Sequence, residues 1–481
     1  MTAERRRWLA LVVLCLGDLT IVLDTTIVNV ALPSIRVDLG FSETSLAWVV
    51  NAYMLTFGGF LLLGGRMGDL FGHRRLFLIG LTVFTCASLA CGLAGSAEFL
   101  IGARAVQGVG GAVVSVVALS LIMTMFTEPA ERAKAMGVIG FIIAGGGSIG
   151  VLLGGVLTDA LDWHWIFLVN LPIGVAVIAL CLILLPGGAG QGAGRLDVAG
   201  SITVTAALMI AVYAIMDGNQ EGWASVRTIG LLALAAALLA AFLRIEARAV
   251  SPLMPLGLFR LRSVATANVV GVLWAAAMFG WFFLSALYLQ LVLGYSALQV
   301  GLAFLPANVI MGGFSLGLSE KIVRRFGIRT PLATGMALVA ASLALFARAP
   351  VGGSFALDVL PGMLLLGLGM GISFNPVLLA AMSDVEPSEA GLASGVANTS
   401  FMMGGALGLA VLASLAEART SGLTADGLDR LAALTGGYHA AFAVGAVFAA
   451  MAAALGALLL RPSAATLDPD RDLLSEPVVV D

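Results

Sequence analysis

Fourteen apolar runs follow one another along the chain, at approximately 8–32, 45–65, 76–96, 100–125, 135–159, 163–185, 197–216, 226–245, 265–291, 299–318, 330–348, 358–382, 391–416 and 438–460. Roughly 20 residues of helix fill the roughly 30 Å hydrocarbon core of a bilayer, where the backbone must satisfy its own hydrogen bonds. The runs therefore predict an all-α polytopic membrane protein with fourteen transmembrane helices. Composition agrees, since 60% of the residues are hydrophobic and 11% charged, against about 25% charged in soluble domains. Sixty glycines suit helices whose backbones approach closely.

Charge in the connections tests this count. With both termini placed inside, nineteen of the 25 lysines and arginines fall in inside segments, and Arg36, Arg227, Arg348, Arg419 and Arg430 fall outside. Arg104 alone lies within a helix. That bias is what the positive-inside rule predicts, and a missed helix would have scrambled it. The basic-then-apolar start MTAERRRWLALVVLCLG lacks a clear small-residue cleavage site and continues apolar to Pro33, so it predicts an uncleaved first helix.

Several function classes are excluded. A net charge of -3 offers no basic face for nucleic acid. The two lysines, Lys134 after Ala133 and Lys321 after Glu320, do not complete a Gly-Lys-Ser/Thr phosphate loop, so no nucleotide motor resides here. His73, His164 and His439 lie far apart and predict no metal site, while Cys15, Cys86, Cys91 and Cys181 sit in apolar runs as small hydrophobes.

A weak internal repeat organises the chain. GRMGDLFGHRR (65–75) and LSEKIVRRFGIRT (318–330) share Phe-Gly-x-Arg at Phe71 to Arg74 and Phe326 to Arg329, a spacing of six helices once two extra ones are removed. This predicts a 6 + 2 + 6 plan: a first bundle over 1–185, a linker and two inserted helices over 186–247, and an interfacial segment with the second bundle over 248–460. The acidic tail, 461–481, reads as disordered. PGGAGQGAGR (186–195) reads as a flexible linker and RIEARAVSPLMPLGLFRLRS (244–263) as an interfacial connection.

Six stretches in order closely resemble the fourteen-helix drug:proton antiporter family of the major facilitator superfamily. LDTTIVNVALP (23–33) is similar to its first-helix signature, GRMGDLFGHRR to its loop signature, and RAVQGVGG (104–111) to its fourth-helix motif. The glycine run from Gly145 to Gly155, WHWIFLVNLPIG (163–174) and YLQLVLGYSALQVGLAFLP (288–306) complete the set. Two departures stand out: Gly150-Val151 replaces the usual Gly-Pro, and His164 stands where arginine is usual. The resemblance implies a major facilitator fold and multidrug efflux in exchange for protons, with no cofactor and no ATPase. It also implies a multi-pass protein of the cytoplasmic membrane, with both termini in the cytoplasm and conferring antibiotic resistance.

Polar residues within the runs are the candidates for chemistry. An ionised Asp24 costs several kcal/mol at membrane depth, so it can take up a proton and exchange it for a cationic substrate; it can equally be a structural acid paired with a neighbouring helix. In the resembled family the matching acid serves coupling or recognition of substrate charge. At 100° per residue, Asp18, Thr25 and Asn29 share one face, and Asp24 lies about 120° away, so both acids cannot address one narrow cavity. Asp18 lies nearer the midplane. Arg104, whose family counterpart is linked to proton transfer, either partners a buried acid or sits at the outer end of its helix, and Gln107 shares its face.

Gly65, Asp69, Gly72, Arg74 and Arg75 form a short inside loop that either anchors by charge or gates between conformations. Gly146, Gly150 and Gly154, with Gly404 and Gly408, form small-residue packing faces. Trp274 and Trp281 offer stacking surfaces or packing bulk, while Gln290 and Asn398, among other second-half amides, can bond substrate without titrating. The first expectation is therefore proton antiport of hydrophobic or cationic small molecules. The alternatives are symport, export of an endogenous metabolite or lipid, and a non-transporting membrane sensor.

Overall fold

The computed structural model describes residues 3–126, 128–185, 197–249, 252–314, 318–385 and 390–460. The glycine-rich linker at 186–195 and the tail from Arg461 lie outside these residues. The long helices are α1 (Ala3–Leu39), α2 (Trp48–Phe71), α3 (His73–Gly92), α4 (Ala97–Met125), α5 (Pro129–Ala160), α6 (Asn170–Leu184), α7 (Val198–Glu221) and α8 (Val226–Glu246). They continue as α9 (Arg262–Leu287), α10 (Ala297–Gly313), α11 (Arg329–Phe346), α12 (Leu360–Met382), α13 (Ala390–Ala425) and α14 (Arg430–Leu459). No strand occurs among the described residues. Among the described residues, twelve helices are long and apolar enough to cross a membrane, and α5 and α10 occupy the fifth and tenth apolar runs.

Local chemistry sets the boundaries. Ser96, Ser225 and Asp429 each accept a backbone N–H at the start of α4, α8 and α14, and Ser296 with Gln299 forms a capping box on α10. Each Phe-Gly-x-Arg copy places a glycine of positive φ at a helix end: Gly72 ends α2 at φ 91° and Gly327 ends the helix Ser319–Phe326 at φ 71°. Both angles lie in the region that glycine adopts without steric cost. Helices α1 and α13 outrun their apolar stretches, because hydropathy marks what lipid covers and not where helical hydrogen bonding stops.

Pairing repeats across the chain. Helix α1 packs on α5 and α6, α4 on α2 and α3, and α3 on α6; in the second bundle α9 packs on α13 and α14, α12 on α10 and α11, and α11 on α14. The two bundles meet along two seams, α5 with α10 and α2 with α13. Close approach at the first seam depends on glycine, since a Cβ on Gly155 would stand 2.7 Å from the Ala297 carbonyl oxygen and one on Gly301 2.9 Å from that of Val151. Just beyond, the Asp159 carboxylate accepts the Ala297 and Leu298 N–H groups at 3.1 and 3.0 Å.

Helix α7 pairs with α8 and lies over the second seam, against both α2 and α13. Ser201 Oγ donates to the Gly59 carbonyl at 2.5 Å, and Asn219 Nδ2 donates to the carbonyl and hydroxyl oxygens of Ser414 at 2.5 and 2.8 Å. Where lipid and side chains are equally apolar, such bonds and tight packing hold helices together.

Candidate functional site

Asp24 is fully buried at the centre of a polar network in the first bundle. Arg104 Nη1 donates to Asp24 Oδ2 in a buried ion pair. Gln107 Nε2 donates to Asp24 Oδ1 at 2.7 Å and Asn170 Nδ2 to the same oxygen at 3.2 Å. Arg104 is further satisfied by the Val49 carbonyl at 2.8 Å and Gln107 Oε1 at 2.7 Å. Ser88 Oγ accepts from Gln107 at 2.8 Å and Asn170 at 3.4 Å, and the Cys91 thiol reaches Gln107 Oε1 at 3.6 Å. Helices α1, α2, α3, α4 and α6 are thus tied at one point. The guanidinium also lies 4.4 Å from the Tyr53 ring centroid and 5.6 Å from that of Phe167, where ring faces favour a cation.

Asp18 has a different setting. It lines a cavity of about 360 Å³ walled by α1, α2, α4, α5 and α13, so the space lies between the bundles. The wall includes the polar residues Thr25, Tyr53, Ser115, Ser394 and Asn398, and Leu14, Ile21, Phe57 and Met402 are among the apolar remainder. Among the described residues Asp18 is the one acid in this wall, and no lysine, arginine or histidine joins it. The two faces of α1 separate as helical spacing predicts: Asp18 and Thr25 reach the cavity, and Asp24 is turned into the bundle.

The remaining candidates fall in varied places. Asn29 is buried and bonds back to the Thr25 and Thr26 carbonyls. Gln290 donates across the bundles to the Val30 carbonyl at 2.9 Å. Asn398 lines the cavity and donates to the Ser394 carbonyl at 3.1 Å. Trp274 donates to Ser373 Oγ at 2.7 Å and packs against Phe374 and Phe401. Trp281 is enclosed by Phe282, Phe304 and Phe346. Neither tryptophan is in the cavity wall.

The stretch expected as a short inside loop is almost wholly helical, with Gly65 and Asp69 in α2, Arg74 and Arg75 in the first turn of α3 and Gly72 alone between them. The positive φ of Gly72 lets one helix end and the next begin within a residue. Arg74 donates to the Leu182 carbonyl at 2.7 Å within the same bundle. Arg75 is exposed, Gly65 faces Val116, and the side chain of Asp69 lies outside the described residues. Gly146, Gly150 and Gly154 pack on Leu19, Leu23 and Ile27 of α1. Gly404 and Gly408 admit Val272 and Ala276 of α9.

Tyr53, Ser88, Ser115 and Asn170 were not candidates from sequence. Asn170 carried the available signal, an amide inside an apolar run. The serines and the tyrosine carried none, because Ser and Tyr are ordinary residues of membrane helices.

The comparisons with known proteins agree with this architecture. The Major Facilitator Superfamily pattern matches residues 14–409. The puromycin resistance protein pur8 of Streptomyces alboniger is 39% identical over 92% of this chain and 89% of its own length. The cephamycin export protein CmcT of Amycolatopsis lactamdurans is 40% identical over 87% and 86% respectively. A crystal structure of a bacterial homolog of the human lysosomal transporter Spinster, inward-facing and unoccupied, superposes with a TM-score of 0.66 over 94% of this chain and 97% of that one; at 18% identity it speaks to the fold alone. With its paired bundles, its inter-bundle cavity and these relatives, the chain belongs to the Major Facilitator Superfamily and is a membrane transporter, not an enzyme.

Proposed function

We propose that the protein exports hydrophobic or cationic small molecules in exchange for protons, by alternating access in the cytoplasmic membrane with both termini in the cytoplasm. The observation that carries the proton is Asp18: a lone carboxylate in a largely apolar wall holds either a proton or a substrate cation, because leaving it ionised and uncompensated is costly. The relatives named for puromycin resistance and cephamycin export support the outward direction. The arginine bias of the loops supports the orientation.

In that orientation the cavity lies toward the cytoplasm, and the contacts of Asp159 with α10 and of Gln290 with Val30 close the outer end. This is the state that loads substrate from the cell. Residues 1–185 and 248–460 are the two units that rock about the cavity, and the proton gradient replaces any cofactor or ATPase.

Efflux of ethidium from loaded cells tests the reading. Export that collapses with an uncoupler is the expected result. Accumulation instead of export would make the protein an importer, and binding without flux would make it a sensor; either contradicts the proposal.

A further inference from the structure

Helix α7 lies against α2 of the first bundle and α13 of the second, so it touches both bodies that alternating access moves apart. Its attachments differ from end to end. Toward its start, Ser201 Oγ donates to the Gly59 carbonyl of α2 at 2.5 Å. Thr205 fills the space beside the same glycine, where a Cβ would stand 1.8 Å from Thr205 Oγ1. Toward its far end, Asn219 Nδ2 donates to the carbonyl and hydroxyl oxygens of Ser414 on α13 at 2.5 and 2.8 Å. Ser414 Oγ returns a bond to the Ile215 carbonyl at 3.0 Å, and Trp223 Nε1 donates to Asn219 Oδ1 at 3.0 Å. Arg227 at the start of α8 bonds Glu221 and Tyr213 of α7, both at 2.6 Å, which ties the inserted helices into one hairpin.

At this far end α7 meets α2 through a weak contact. Asn51 Nδ2 lies 4.0 Å from the Met216 sulfur, a poor acceptor. Asn51 Oδ1 has no partner among the described residues, although the side chain is fully buried. An unsatisfied buried amide costs free energy that contact with water would recover. The joint to α2 is therefore primed to part, and the joint to α13 is not.

Resting on the reading of the chain as an alternating-access exporter, we infer that the inserted pair is a strut carried by the second bundle. When the outer end opens, α7 stays on α13 through Asn219 and Ser414, separates from α2 at Asn51 and Met216, and pivots on the bond between Ser201 and Gly59. Water then reaches the Asn51 amide, which favours the open state relative to the closed one. Because α7 remains fastened to one bundle at each end, it also limits how far the outer ends part.

The test uses the full-length protein in proteoliposomes with two cysteine pairs, Asn51→Cys with Met216→Cys and Asn219→Cys with Ser414→Cys. Each pair is joined by a short bis-methanethiosulfonate and released by dithiothreitol, with the linked peptides identified by mass spectrometry. Two properties are followed before linking, after linking and after release. One is ethidium flux under a pH gradient; the other is amide hydrogen exchange at Ala297 and Leu298, whose N–H groups Asp159 holds at the other outer seam. Joining positions 51 and 216 abolishes flux and slows this exchange, and release restores both. Joining positions 219 and 414 changes neither. Asn51→Leu, which replaces the unsatisfied amide with an apolar side chain, melts at a higher temperature than wild type and also slows the exchange. Flux that survives the link between 51 and 216, flux lost on the link between 219 and 414, or failure of either pair to link overturns the inference. So does an Asn51→Leu protein that melts at or below the wild-type temperature. If no form moves ethidium while the exchange pattern holds, the exporter reading fails and the strut stands.

Discussion

Asp18 lines the cavity between the bundles, and Asp24, six residues along the same helix, is sealed in an ion pair with Arg104. Six residues turn a helix through about 600°, which leaves the two carboxylates about 120° apart around its axis. One helix thereby serves two electrostatic environments. Among the described residues the cavity acid has no basic partner in its wall, whereas the buried acid has a full set of donors.

Removing the buried carboxylate leaves a buried guanidinium without its counter-charge. Asp24→Asn is therefore expected to lower stability by about 3–5 kcal/mol, the usual cost of breaking a buried pair from one side. The variant still reaches the membrane, melts earlier in detergent, and loses proton-coupled efflux of cationic substrates. Wild-type transport in sealed vesicles with an imposed pH gradient would contradict this.

Arg104→Lys keeps the charge and still fails to substitute. An ammonium lacks the planar fork that reaches the Val49 carbonyl, Asp24 and Gln107 at once. Losing one or two of these bonds should cost about 1–3 kcal/mol, with a lower melting temperature than wild type. Equal melting temperatures would show that the fork geometry is irrelevant.

The seam between α5 and α10 should respond to small changes. Gly155→Ala places a methyl 2.7 Å from the Ala297 carbonyl oxygen and 2.8 Å from Leu298 Cα, and Asp159→Ala removes both acceptors at the start of α10. Each is expected to open this end of the bundle. A single cysteine at Leu298, with the native thiols removed, should then react several-fold faster with a membrane-impermeant maleimide applied outside, since an overpacked contact costs about 1–3 kcal/mol in the closed state. Unchanged labelling would show that this contact does not hold the end shut.

Much of the fold was legible in the sequence because a bilayer imposes one length and one polarity on each crossing. The Phe-Gly-x-Arg copies share one feature in the structure, a glycine of positive φ at a helix end, Gly72 and Gly327. Less of the site was legible. Helical spacing placed Asp18 and Asp24 on different faces, yet nothing in an apolar run says which face meets a cavity and which meets a neighbouring helix. Arg104 and Gln107 stood out as polar residues in a crossing. Apart from Asp24, their partners did not: Ser88 and the Val49 carbonyl belong to other helices, and only tertiary packing brings them within bonding distance. Trp274 and Trp281 show the same ambiguity, as size and spacing alone do not distinguish a pocket wall from a packed interior.

The central claim rests on the cavity carboxylate and is tested most directly by Asp18→Asn in proteoliposomes, with ethidium flux driven by an imposed pH gradient. The substitution keeps shape and removes only the ionisable oxygen, so the protein should fold as wild type. Gradient-driven flux should fall about tenfold or more, the factor given by ~1.4 kcal/mol of lost charge stabilisation, while Asp18→Glu retains measurable exchange. Wild-type flux from the Asp18→Asn protein under the same gradient would contradict the account.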